Sequence, residues 1–174
     1  MPAATTVSPV TTASPATAAP AAVARARVLP VVQVGEHCSR SVRFSRDDIA
    51  NFARLSGNTN PLHHDQQAAQ RARHGEIIAS GEHITALMIG AASSHFSQAD
   101  ASGARELLCL NFNFAFKAPV FAEQAIELSW KVASVEPHAR LGGLLVHVDG
   151  RAAVRHASPA VVGRGTFLVK TVPG

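Results

Sequence analysis

The sequence predicts an α+β domain built on an antiparallel sheet, and three features point there. Helical patterning is confined to the first half of the 174-residue chain, β-like runs fill the second half, and proline or glycine separates those runs. A chain that is 47% hydrophobic and 16% charged has the composition of a folded domain.

The first segment departs from that texture. Residues 1–27 are almost entirely Ala, Pro, Thr, Ser and Val, with prolines at Pro2, Pro9, Pro15 and Pro20. Proline breaks the helix that alanine favours, so a disordered arm is expected over residues 1–30, followed by one domain over 31–174. The arm carries no acid and only Arg25 and Arg27, which is not the pattern of a secretory signal. A cytoplasmic location is expected, or the mitochondrial matrix if residues 1–27 act as a transit peptide.

From Val28 to Val34 the chain is β-prone, and Ser41–Phe44 alternates. Ser45 is a good N-cap with Asp47 and Asp48 in the following turn. Ile49, Phe52, Ala53 and Leu55 supply an apolar stripe, and Gly57 ends the helix. Asn60-Pro61 forces an extended step, and Gln66–Ala72 reads as a short second helix. Ile84, Leu87, Met88 and Ala91 then mark a central buried helix over Ile84–Ala92, preceded by Ser80-Gly81. Strands are expected at Leu107–Phe116, Ala125–Val135, Leu141–Val148, Ala152–His156 and Thr166–Val172.

Charge and cysteine content exclude several function classes. The formal charge is +4, but without Arg25 and Arg27 the balance is 14 basic against 12 acidic residues. No basic run resembles a nucleic-acid footprint. No stretch reaches the roughly 18 apolar residues of a membrane span, so neither nucleic acid nor membrane is an expected partner. Cys38 and Cys109 fit no disulfide framework and no zinc spacing. Cys109 and the alternating Phe112, Phe114 and Phe116 read as core or interface positions of a strand. His63 and His64 are adjacent and point apart, with no further ligand at useful spacing, so no metal is expected. The absence of a glycine-rich loop after a strand argues against flavin or nicotinamide, and no cofactor is expected.

The segment Phe44-Ser45-Arg46-Asp47-Asp48-Ile49-Ala50-Asn51-Phe52-Ala53-Arg54-Leu55-Ser56-Gly57-Asn58-Thr59-Asn60-Pro61-Leu62-His63-His64-Asp65 resembles the signature of the MaoC-like, (R)-specific enoyl-CoA hydratase family. That signature reads F-S-x-x-D-h-x-x-F-A-x-h-S-G-D-x-N-P-h-H-x-D, with h apolar. Gly75–Gly81 and the strand end Phe112–Val120 are similar to two further family elements, and the resemblance spans about residues 41–172. It implies a hot-dog fold, an antiparallel sheet curled around a helix. It also implies a dimer or a double hot dog, here expected as a homodimer, acting on an acyl thioester of CoA or acyl carrier protein, without cofactor. Carried over by position, His63 is the catalytic histidine, Asn60 and Pro61 form the turn presenting it, and Gly81 offers a backbone N–H to the thioester carbonyl. Asn58 stands where the family has its catalytic aspartate, and Ser80 where it usually has a histidine before the glycine. His83, one turn into the helix, is a further candidate for contact with substrate.

Three readings stay open on the sequence. The first is reversible hydration of a trans-2-enoyl thioester to the (R)-3-hydroxyacyl form, with His63 as acid/base and Asn58 orienting water. The second is thioester hydrolysis on the same fold. The third is a catalytically silent acyl-binding or assembly subunit.

Overall fold

The computed structural model describes residues 32–99 and 103–172. The arm expected over residues 1–30 lies outside them. The elements run β1 (His37–Arg43), α1 (Arg46–Ser56), a 3-10 turn (Pro61–His63), α2 (Gln66–Arg71), α3 (Gly81–Phe96), β2 (Ala104–Phe116), β3 (Ala125–His138), β4 (Gly143–Val154) and β5 (Val161–Val172). The five strands form one antiparallel sheet in the order β1-β3-β4-β5-β2. Helices precede strands, as the α+β reading expects, with β1 as the exception.

Helix α1 begins where its sequence says it should. The Ser45 hydroxyl accepts from the Asp48 N–H while the Asp48 carboxylate accepts from the Ser45 N–H, a reciprocal capping box worth about 1 kcal/mol. Gly57 ends the helix at φ 70°, a conformation that glycine adopts without Cβ strain, and the Asn58 N–H reaches back to the Ala53 carbonyl at 2.8 Å. Ile49 and Ala53 are buried, whereas Leu55 is 84% exposed. Position 55 is six residues past Ile49, some 240° around the helix by standard geometry of about 100° per residue, so it leaves the apolar face.

Helix α3 lies against the sheet through Ile84, Met88, Ala92 and Phe96, all buried and four residues apart. Burial of each large side chain in that row contributes about 1.5–3 kcal/mol. The helix is longer than the predicted Ile84–Ala92, because Ser80 caps its start by accepting from the His83 N–H at 3.2 Å. Trp130 of β3 locks helix to sheet, its indole N–H donating to the Met88 carbonyl at 2.7 Å.

Three cross-strand pairs set an aromatic ring over a glycine: Trp130 with Gly150, Phe114 with Gly163, and Phe112 with Gly165. A Cβ at any of the three glycines would come within 2.6 Å of its partner's ring. Missing side chains on β4 and β5 thus make room for large ones on β3 and β2. This corrects two strand boundaries. Gly150 is not a break, so the predicted Leu141–Val148 and Ala152–His156 merge into the single strand β4. Strand β5 starts at Val161 rather than Thr166, because Gly163 and Gly165 belong to the ladder. At the other end of the chain, residues 32–34 are not strand, and β1 begins only at His37. Cys109 is exposed rather than a buried core residue; the register of β2 slips between Cys109 and Asn111, which breaks the alternation there.

His83 packs away from the sheet. Its ring stacks on Phe52 at 4.3 Å with planes 2° apart, meets the edge of Phe44 at 4.7 Å, and is only 8% exposed. Its Nδ1 finds no hydrogen-bond partner among the described residues. Burial pushes the His83 pKa down, with the Asp48 carboxylate partly opposing.

Two predictions follow from this packing. Gly150→Ala should lose about 1–3 kcal/mol of stability in urea denaturation, because the methyl group and the Trp130 ring cannot occupy the same space. His83 should make the fold acid-sensitive. Its folded pKa lies below the ordinary 6.5, so the unfolded chain binds the proton more readily. Its contribution is complete above that value and is lost as pH falls through the lower, folded one. Thermal melts between about pH 7.5 and pH 5 should therefore show a shallower decline for His83→Leu than for the parent chain.

Candidate functional site

The loop from α1 to α2 is shaped by side chains that fold back on their own backbone. The Asn58 Oδ1 accepts from the Asn60 N–H at 3.0 Å, and the Asn60 Oδ1 accepts from the Leu62 N–H at 3.1 Å. These are two successive Asx turns. With Pro61 in the first turn, they deliver the chain into the 3-10 turn that carries His63.

His63 is 6% exposed, and its Nδ1 lies 2.8 Å from the Ile78 carbonyl oxygen. A carbonyl only accepts, so Nδ1 carries the hydrogen and the neutral ring has its lone pair on Nε2. The same residue closes the clamp from the other side, the Ile78 N–H donating to the Leu62 carbonyl at 3.2 Å. Ile78 forms a β-bridge with Phe121, and the Ala79 N–H donates to the Val120 carbonyl at 2.8 Å. The His63 turn is thereby fastened to the segment that leads into α3.

At that point lies an open cleft of about 790 Å³. His63, Ile78 and Gly81 line it, together with Glu82, Ile84 and Thr85 of α3 and Phe116, Lys117 and Pro119 from the end of β2. Gly81 is the first residue of α3, where the N–H has no acceptor within the helix and points out of its positive end. A Cβ at Gly81 would come within 2.6 Å of the Phe116 ring, so glycine lets that ring lie directly on the helix start. A larger hollow of about 960 Å³ lies where Glu127, Ser129 and Lys131 point, alternating with the buried Leu128 and Trp130. It belongs to the other face of the sheet and receives neither His63 nor Gly81, so size alone does not locate the site.

The predicted residues are divided by the structure. His63 and Gly81 share the cleft. Asn58 and Asn60 shape the loop that presents His63 and are not among the residues lining the cleft. Ser80 is 3% exposed and its hydroxyl caps α3. His83 borders a separate cavity of about 500 Å³ with Phe52 and Leu87. Sequence reasoning missed Arg73, His74, Glu82, Thr85 and Lys117, all of which line the cleft. His74, which no motif marks, shares it with His63. Phe116 parts company with its alternating partners, since Phe112 and Phe114 stack on each other and against Trp130, while Phe116 covers Gly81. Nothing local in the sequence brings residues 73 and 117 to one rim; sheet pairing does. Among the described residues, no three His, Cys, Asp or Glu side chains gather as a metal site, and no helix is long and apolar enough to cross a membrane.

Solved structures share this architecture. An (R)-hydratase from A. caviae involved in PHA biosynthesis is 22% identical with a TM-score of 0.69, the match covering 82% of this chain and 98% of that one. An R-hydratase from Pseudomonas aeruginosa, in its unliganded form, is 20% identical with a TM-score of 0.64 over 83% and 92%. A (3R)-hydroxyacyl-ACP dehydratase complex from Mycobacterium tuberculosis, truncated at a C terminus, is 18% identical with a TM-score of 0.64 over 79% and 96%. At such identities the likeness establishes the hot-dog fold. No curated protein matched. The MaoC-like domain model matches residues 30–154, which is most of the chain, and the protein therefore belongs to the MaoC-like domain family.

Proposed function

We propose that the protein catalyses reversible hydration of a trans-2-enoyl thioester to the (R)-3-hydroxyacyl thioester, carried on CoA or acyl carrier protein. The observation that carries this reading is the buried His63, held through Nδ1 by the Ile78 carbonyl, with Nε2 left for proton transfer beside the N-terminus of α3. Water adds its oxygen to C3 while Nε2 takes a proton from it, and the same nitrogen returns a proton to C2 on that face. The thioester oxygen becomes enolate-like as this happens, and the Gly81 N–H at the helix start is the donor for it. To Asn58 we assign the orientation of the water, through an amide Nδ2 that donates and takes no proton, while its Oδ1 shapes the turn through the Asn60 N–H. Arg73 and Lys117 at the rim suit the phosphates of the carrier.

Strand β2 is an edge of the sheet among the described residues and presents Leu108 and Leu110, 57% and 48% exposed. An uncovered edge of this kind invites a second strand, which supports a homodimer. Asn58 favours a second reading, hydrolysis or simple acyl binding, because the carboxamide cannot take a proton from water.

Absorbance of crotonyl-CoA, whose conjugated double bond disappears on hydration, separates these readings. The full chain should consume it, and His63→Ala should be slower by roughly 10²–10⁴-fold. Asn58→Asp should raise the rate, since it restores a second proton acceptor without disturbing the Asx turn. Thiol release without hydration would replace this reading with hydrolysis. If both assays are blank while acyl-CoA raises the melting temperature, the protein is a binding subunit.

A further inference from the structure

We propose that Glu82 supplies the carboxylate that position 58 lacks, as the second acid/base group beside His63. The inference rests on the hydration reading above and assigns a residue that the family signature does not mark.

Adding water across C2=C3 requires a proton to leave the oxygen and a proton to arrive at C2. His63 has one nitrogen for both tasks, because Nδ1 is committed to the Ile78 carbonyl. Asn58 offers no acceptor beyond the Oδ1 already held by the Asn60 N–H. Neighbouring acids of the motif region are committed elsewhere. Asp48 closes the capping box of α1. Asp65 caps α2 by accepting from the Gln67 and Ala68 N–H groups. Glu76 accepts from the Ile77 N–H and from Arg46.

Glu82 differs from all three. Among the described residues it is the one carboxylate lining the cleft that holds His63, and no ion pair among them engages it. It follows Gly81 directly, so it stands beside the donor for the thioester carbonyl, and C2 and C3 are the next two carbons along the acyl chain. Thr85, one turn further on, lines the same cleft, so this face of α3 is turned toward substrate. His74 is the rival, yet it lies on the loop after α2, with its ring 6.4 Å from that of Phe121.

With two groups the chemistry divides cleanly. The Glu82 carboxylate takes a proton from water as the O–C3 bond forms, and the C2=C3 electron pair moves toward the thioester carbonyl. The enolate oxygen is held at the Gly81 N–H. The proton taken by Glu82 passes to the free Nε2 of His63, which delivers it to C2 and is neutral again. The sum is one water added, with both groups back in their starting states. The Ile78 carbonyl accepts from Nδ1 in both charge states, so the ring keeps its orientation throughout.

The test compares wild type, Glu82→Gln, Glu82→Asp, His74→Phe, Asn58→Asp and the Asn58→Asp/Glu82→Gln pair as full chains with crotonyl-CoA. Glu82→Gln should lower kcat by roughly 10²-fold or more while KM stays within a few-fold. Glu82→Asp should retain part of the rate. The double variant should recover rate over Glu82→Gln, because a carboxylate returns at position 58. Glu82 is exposed, and an unchanged melting temperature verifies that the Gln variant is folded. An active wild type matched by Glu82→Gln would overturn the assignment and leave the hydration reading standing. Loss confined to His74→Phe would overturn it in favour of the second imidazole. A wild type inert toward crotonyl-CoA, with Asn58→Asp active, would overturn the hydration reading itself and Glu82 with it.

Discussion

The backbone of Ile78 is the constraint on which the site depends. Its N–H and C=O are both spent on the His63 turn, one on the Leu62 carbonyl and the other on the imidazole. Neighbouring groups tie the same segment to the sheet, through the Ala79 N–H on Val120 and the Ala122 N–H on the Ile77 carbonyl. Two residues beyond Ile78, Ser80 starts α3. The distance between the His63 ring and the helix start is thus set by a few backbone bonds rather than by long side chains. A backbone acceptor also has no titration of its own, so the ring orientation does not depend on the charge of a partner.

In the proposed thioester site, the N-terminus of α3 meets two demands. A helix start must find acceptors for its N–H groups, and a thioester site needs such groups left open. The Ser80 hydroxyl takes the His83 N–H, deeper in the turn, and leaves Gly81 at the cleft. A capping residue that reached the first amide would close the site. Phe116, 58% exposed on Gly81, provides an apolar wall at the same point. The absence of a side chain at Gly81 therefore serves substrate access and wall placement together.

What could be read from the sequence divides by the range of the interactions. The capping box of Ser45 and Asp48, the Gly57 stop and the Asn60-Pro61 turn are decided within a few residues, and each forms where the local pattern places it. The central helix and the later strands were legible from periodicity. Gly150 reads as a break, and Gly163 and Gly165 fall outside the predicted last strand, because a glycine inside a strand looks like a break until the ring opposite it is known. That ring lies across the sheet: Trp130 for Gly150, and Phe114 and Phe112, some fifty residues away in sequence, for the other two. The candidate site follows the same rule. His63 and Gly81, both marked by the family resemblance, line one cleft. Arg73, Glu82 and Lys117 reach the cleft only through the chain path around the sheet rim, which no local signal encodes.

Asn58 shows why local fold and chemistry come apart. Its structural duty is to accept one backbone N–H, and an aspartate oxygen at that position would do the same. The loop, the 3-10 turn and the placement of His63 therefore tolerate either residue, and the fold exerts no pressure to keep a carboxylate there. Only proton transfer distinguishes the two, because the amide retains the acceptor that shapes the turn while its other atom becomes a donor. An exchange between the two residues is thus silent in the architecture and alters only the acid/base chemistry open to position 58. Whatever chemistry the cleft performs must then be sought in groups that line it, among which the His63 imidazole and the α3 carboxylate share one wall-to-wall space.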